Sequence, residues 1–208
     1  MREVFFLRVV TGLFFICGLF ALFSCNKTPQ IAKLSSEGIV LAFGDSITFG
    51  TGAAPSESYP SVLEKHIGRR VVNAGVPGEV TAEGRVRLTS VLDEYNPALM
   101  LLCLGGNDFL RHQDESKTIE NLRAMISLAQ SRGVSVVLIS VPKLGFGLEV
   151  PKFYRELASE FSIPLEGKTL KHILSNNSLK SDAIHPSASG YAIMAESVSQ
   201  LLRDTGAL

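Results

Sequence analysis

The 208-residue sequence has no tryptophan, only three cysteines and no surplus of either charge. The last two shortages each remove a class of protein. Twenty basic residues against 20 acidic give a formal net charge of zero, so the chain lacks the basic surplus with which a protein meets nucleic-acid phosphates. Three cysteines cannot build the disulfide framework of a small secreted scaffold. No GxxxxGK(S/T) segment is present, which argues against a phosphate loop. Internal repeats and low-complexity tracts are also missing. What remains is 46% hydrophobic and 19% charged, the composition of one ordinary domain.

These averages conceal an uneven start. Six of the 12 phenylalanines and two of the three cysteines fall within residues 1 to 25. Arg2 and Arg8 flank a charged opening, and Val9 to Phe23 is an uncharged apolar run of 15 residues. A spanning helix needs roughly 20 apolar residues, whereas a signal-peptide core needs ~7–15. The run closes on Leu22-Phe23-Ser24-Cys25, which resembles the lipobox of bacterial lipoproteins, although Phe23 is bulkier than that motif usually carries. The resemblance implies removal of residues 1–24 and lipidation of Cys25, with export and anchoring to a bacterial membrane. An ordinary cleaved signal and an uncleaved anchor are the alternatives. Processing at Cys25 would leave 184 residues carrying 18 basic and 19 acidic side chains. Residues 25–37 are polar after Cys25 and contain Pro29, so they read as a short tether, leaving a domain over residues 38–208.

In that domain apolar runs alternate with helical patterns. Ile39 to Phe43, Val71 to Ala74, Ala98 to Leu104 and Val134 to Val141 are continuous and short, as suits parallel strands buried between helix layers. A last run at Ile163-Pro164-Leu165 belongs at a sheet edge, because proline cannot donate to a ladder. Helical spacing recurs over Ile119 to Ala129, over Phe153, Leu157 and Phe161 behind Pro151, and over Tyr191 to Leu202 behind Ser187, with further helices expected at about Tyr59 to Ile67 and Thr81 to Glu94. Such alternation predicts an α/β fold with a parallel sheet covered on both faces, whose ligands bind beyond the carboxyl ends of the strands.

Polar sets stand at four such places. After the first strand come Gly44-Asp45-Ser46, where a serine at a strand-to-helix turn meets the partial positive charge of a helix start; alone, the triplet reads equally as a helix cap. After the second come Gly75-Val76-Pro77-Gly78-Glu79, by themselves a turn. The third runs into Gly105-Gly106-Asn107-Asp108, where an asparagine amide can donate to an oxyanion or an Asx bond can close a loop. The fourth is Ser181-Asp182-Ala183-Ile184-His185-Pro186, in which an aspartate three residues before a histidine can hold Nδ1–H and leave Nε2 as a base. His66, His112 and His172 lack that context and read as surface or structural residues. Cys103 lies among apolar neighbours and reads as a small buried hydrophobe.

In this order GDSITFG, VVNAGVPGE, LGGND and SDAIHP resemble the blocks of the SGNH, or GDSL, hydrolase superfamily, and within it the arylesterase, thioesterase I and lysophospholipase-like branch. The resemblance spans about Val40 to Leu202. It implies a three-layer α/β/α, flavodoxin-like fold with a five-stranded parallel sheet. It also implies Ser46 as nucleophile, His185 and Asp182 as the rest of a triad, and an oxyanion hole made by Ser46, Gly78 and the Asn107 side chain. The reaction implied is hydrolysis of carboxylic esters or thioesters through an acyl-enzyme, on a small ester or lipid substrate, with no metal or cofactor. A carbohydrate O-deacetylase using the same triad and a non-catalytic lipid-anchored binding protein stand as alternatives. Specificity is expected from Phe109 to Lys117 and from Lys143 to Val150, where Leu144, Phe146, Leu148 and Val150 either line an acyl-chain groove or pack the loop.

Overall fold

The computed structural model describes residues 29–145 and 147–208. The signal peptide expected at 1–24, the lipidation expected at Cys25 and the loop residue Phe146 lie outside the described residues.

Among the described residues, five parallel strands form one sheet: β1 Val40–Gly44, β2 Val71–Gly75, β3 Leu99–Cys103, β4 Ser135–Ile139 and β5 Leu165–Glu166. Their order is β2-β1-β3-β4-β5. β1 and β3 are buried at every position, which is why both read as unbroken apolar runs. β2 is an edge strand with exposed Asn73. β5 is the other edge and only two residues long. Pro164 precedes it and offers only its carbonyl, which accepts from Leu138 N at 3.0 Å, the geometry left to a residue without an N–H.

Eight α-helices among the described residues connect and cover the strands: α1 Ser46–Phe49, α2 Tyr59–Ile67, α3 Thr81–Tyr95, α4 Gly106–Leu110, α5 Glu115–Ser131, α6 Phe153–Glu160, α7 Thr169–Ser175 and α8 Ala188–Asp204. α2 and α7 pack on α8, while α3 and α6 pack on α5. Right-handed crossovers place these two groups on opposite faces of the sheet, giving three layers. The long helices follow their apolar stripes. α8 buries Tyr191, Met194, Ala195, Val198 and Leu202, and Ser187 Oγ caps it by accepting from Gly190 N at 3.4 Å. The sequence pattern places Pro151 at the first helical position of α6, yet the helix starts two residues later at Phe153.

One expectation needs correction. The tether does not extend to residue 37, because Ile31 and Leu34 are buried. Ile31 N donates to Thr205 O at 2.9 Å and Leu34 N to Ala207 O at 2.8 Å. Burial of two aliphatic side chains, each worth roughly 1.5–3 kcal/mol, outweighs the polarity of their neighbours and docks this stretch beside the end of α8.

The chain runs from β1 out to β2 and then returns across to β3. Connections therefore leave β1 and β3 in opposite directions, and a crevice opens between their carboxyl ends, where open α/β sheets bind ligands.

Candidate active site

Ser46 is the first residue of α1, directly beyond β1. The turn before it is set by Asp45, whose Oδ1 accepts from Ile47 N at 3.0 Å and so satisfies one of the free N–H groups at a helix start. Ser46 thereby sits at the N-terminal end of that turn, partly exposed to the crevice.

His185 arrives from the far end of the sequence, just ahead of α8. Its Nε2 lies 3.0 Å from Ser46 Oγ and its Nδ1 lies 2.7 Å from Asp182 Oδ2. The short loop is self-bracing, since Asp182 Oδ1 also accepts from Ile184 N at 2.8 Å and His185 N at 2.9 Å. Partial burial acts to raise the Asp182 carboxyl, but the bonds from the His185 ring and the two amides together hold it below its ordinary value. An ionised Asp182 accepts a proton-bearing Nδ1, which leaves Nε2 with the lone pair that faces Ser46.

Asn107 stands one residue into α4, beyond β3. The backbone there is set by Gly105, with φ of +118°; a Cβ at that position would come within 2.4 Å of Tyr154 Oη, so only glycine fits. Tyr154 Oη in turn donates to Leu104 O at 2.8 Å and fixes the end of β3. Asn107 Nδ2 donates to Glu79 O at 2.9 Å and reaches Asp45 Oδ2 at 3.4 Å. The loop carrying Gly78 is thus drawn to the same end of the sheet, and Val76 N ties it to β1 through Gly44 O at 2.9 Å. Gly78 has φ of +82°, and Glu79 N donates to Val76 O at 3.1 Å; with Pro77 second and glycine third, these are the features of a type II turn.

All five positions singled out in the sequence therefore meet at one end of the sheet. The structure adds contacts that the motifs themselves did not reveal, at Asp45, Glu79 and Asp108 within them and at Arg111 outside them. Asp45 is fully buried, and desolvation, reinforced by the nearby Glu79 and Asp108, pushes its carboxyl up to about 7 against the backbone bond from Ile47. Glu79 is itself buried and balanced by a bidentate contact with Arg87 at 2.7 and 2.8 Å. Asp108, buried, accepts from Thr81 N at 2.9 Å and Thr81 Oγ1 at 2.5 Å. Arg111 Nη2 donates to Gly78 O at 2.7 Å. Cys103 is buried, and desolvation raises its thiol well above the ordinary value, which makes it a poor nucleophile.

A cavity of about 210 Å³ opens at Ser46, His185 and Asn107. Its apolar lining includes Ile47, Phe109, Val141, Pro142, Leu174 and Ile184, with the exposed Leu110 and Leu144 at its margin. His112, expected to be a surface or structural residue, also lines it, with φ of +52°. Of the loop residues expected to form an acyl groove, Leu144 lines this cavity, whereas Val150 lines a second one beside α6. No cluster of metal-ligating side chains occurs among the described residues.

Known proteins match this chain in sequence and in fold. A model of the GDSL-like Lipase/Acylhydrolase family matches residues 42–193. An arylesterase from Vibrio mimicus is 30% identical over 182 residues, covering 82% of this chain and 90% of that protein. The thioesterase 1/protease 1/lysophospholipase L1 of Escherichia coli K12 is 26% identical over 179 residues, covering 82% and 86%. The crystal structure of TesA aligns with a TM-score of 0.73 at 28% identity, covering 80% of this chain and 99% of that one.

Proposed function

The chain belongs to the GDSL-like Lipase/Acylhydrolase family and is an ester-bond hydrolase, and from that premise we propose that Ser46, His185 and Asp182 carry acyl transfer through an acyl-enzyme. The observation that supports this most directly is the unbroken contact chain from Ser46 Oγ through both ring nitrogens of His185 to Asp182. His185 Nε2 takes the hydroxyl proton as Ser46 attacks the ester carbonyl, and Asp182 steadies the imidazolium that results. The imidazolium then protonates the departing alcohol or thiol. Water, deprotonated by the same nitrogen, releases the acid and restores Ser46.

The tetrahedral oxyanion rests on the Ser46 and Gly78 N–H groups and on Asn107 Nδ2. Asn107 spends one amide hydrogen on Glu79 O at 2.9 Å. Its longer approach to Asp45, 3.4 Å, is the one that yields to the oxyanion. A protonated Asp45 favours this exchange, because a second negative charge beside the developing oxyanion would oppose it.

The apolar cavity lining supports acyl-chain esters as the substrate class. Hydrolysis of p-nitrophenyl esters from acetate to octanoate, with Ser46→Ala as the control, tests both statements. Turnover beyond acetate that disappears in Ser46→Ala is the expected result. Retention of more than a few per cent of the activity by Ser46→Ala would remove the nucleophile assignment, and turnover confined to acetate would favour an O-deacetylase. The N-terminal sequence supports a lipid anchor on Cys25 with export to the membrane; incorporation of labelled palmitate by the wild type, and none by Cys25→Ser, is the expected outcome.

A further inference from the structure

We propose that Arg111 is a positioning residue that holds the Gly78 and Asn107 donors at a fixed separation; this rests on the reading of those two residues as oxyanion donors. Asn107 and Arg111 are four residues apart, and Arg111 N donates to Asn107 O at 3.0 Å. Residues at this spacing share one face of a helical turn. From that face they reach two successive carbonyls of the neighbouring loop: Arg111 Nη2 meets Gly78 O at 2.7 Å and Asn107 Nδ2 meets Glu79 O at 2.9 Å.

The loop needs such a hold. Gly78 contributes no side chain to anchor it, lies in left-handed backbone and follows the exposed Val76 and Pro77. Glycine crosses between backbone basins more freely than any other residue, so an N–H donor on it keeps its direction only when its surroundings restrain it. On the side of Glu79 the restraint is deep: Glu79 is buried against Arg87, and Thr81 is bound to Asp108. On the side of Gly78 backbone bonds hold the ends of the turn, Val76 N to Gly44 O and Glu79 N to Val76 O, and the Arg111 bond is the side-chain contact made on Gly78 O itself. Since Arg111 is exposed and outside the core, its loss leaves the fold in place and frees the donor loop.

The test is a set of variants assayed on p-nitrophenyl butyrate, with thermal unfolding to establish that each is folded. Arg111→Ala is expected to lower kcat by about tenfold with KM within about twofold, the signature of disturbed geometry in the transition state. Arg111→Lys, which keeps a donor of the same charge, should recover most of that loss. Asn107→Ala should lower kcat by roughly 10²–10³ by removing a donor outright. In that background Arg111→Ala should cost less than it does alone, because the two act through one site. If Asn107→Ala leaves kcat unchanged, the donor reading itself falls. If Asn107→Ala is impaired while Arg111→Ala keeps wild-type kcat, or shifts only KM in a salt-dependent way, the oxyanion reading survives and the positioning role is overturned.

Discussion

Asp45 sits next to Ser46 in sequence and carries the proton balance of the site's interior. Its carboxyl titrates at about 7 in the folded chain against 3.8 as an ordinary value, chiefly because burial penalises the charged form. The folded state therefore holds a proton that the unfolded state has released, and its stability falls as pH rises from about 4 to about 7, levelling off above. A displacement of this size corresponds to about 4 kcal/mol. Asp45→Asn removes the titration. The difference in unfolding free energy, variant minus wild type, is expected to climb across that window by up to about 4 kcal/mol in urea titrations at stepped pH; a flat or falling difference would contradict the buried-acid assignment. The same variant should lose kcat, because the introduced carboxamide, oriented so that its oxygen accepts from Ile47 N, would point its NH2 group at the Asn107 amide. Residues of this kind define what the sequence could reveal. Asp182 and His185 were legible because three residues of local chain suffice to bring them together. The cap that Asp45 makes was legible in the same way, but its burial, the reach of Arg111 to Gly78 and the position of His112 beside the cavity were not, since burial and cross-loop contacts are properties of the packed molecule.

At the scale of elements, the long helices and the four main strands were legible from apolar runs and stripes, which the three-layer fold converts directly into burial. α1 and α4 were not, because helices of four and five residues are too short to display a period. They are held by tertiary bonds. α3 begins at Thr81 behind Val80, a residue whose side chain cannot cap. The cap comes instead from Asp108 in α4, whose Oδ2 accepts the Thr81 amide while Oδ1 takes the Thr81 and Thr118 hydroxyls at 2.5 and 3.2 Å. One buried carboxylate thus joins α3, α4 and α5. Asp108→Ala strands these donors and is expected to destabilise the protein by about 3 kcal/mol, the upper range for bonds to a charged group. It should also lower kcat, because the Gly78 loop feeds directly into Thr81. Asp108→Asn, which retains an acceptor for the amide, should lose less on both counts. Chemical denaturation of the two variants decides it, and equal losses would place the stabilisation outside the cap.

Across the whole molecule, the site and the N-terminal docking stretch occupy opposite poles. His185 stands just ahead of α8, at the edge where strands end, while Thr205 and Ala207 follow its last turn. At 1.5 Å per residue the 17 residues of α8 separate the two ends by about 25 Å. Ile31 and Leu34 bond to the far end, and the chain passes from there into β1. An anchor on Cys25 would therefore hold the domain by the pole remote from the crevice, leaving the catalytic end turned outward. The polar character of the stretch from Asn26 to Glu37 concealed this docking, because three apolar residues in twelve, one of them only an alanine, make too faint a pattern to read. The arrangement also predicts that stability and chemistry separate here. Leu34 is 4% exposed, and Ala207 beside it is fully buried. Leu34→Ala should cost about 2 kcal/mol, the low end for a buried leucine near a chain terminus. For a chain of this size the melting temperature should fall by about 4–8 °C. With the lesion at the end of α8 far from His185 and Ser46, kcat/KM for a short soluble ester should stay within about twofold of wild type, as distant, independent sites do not couple. Thermal unfolding and ester assays on the same preparation measure both. A melting temperature that does not move would mean that this stretch is not docked in solution, and a collapse of kcat/KM in a folded variant would mean that the two poles communicate through α8.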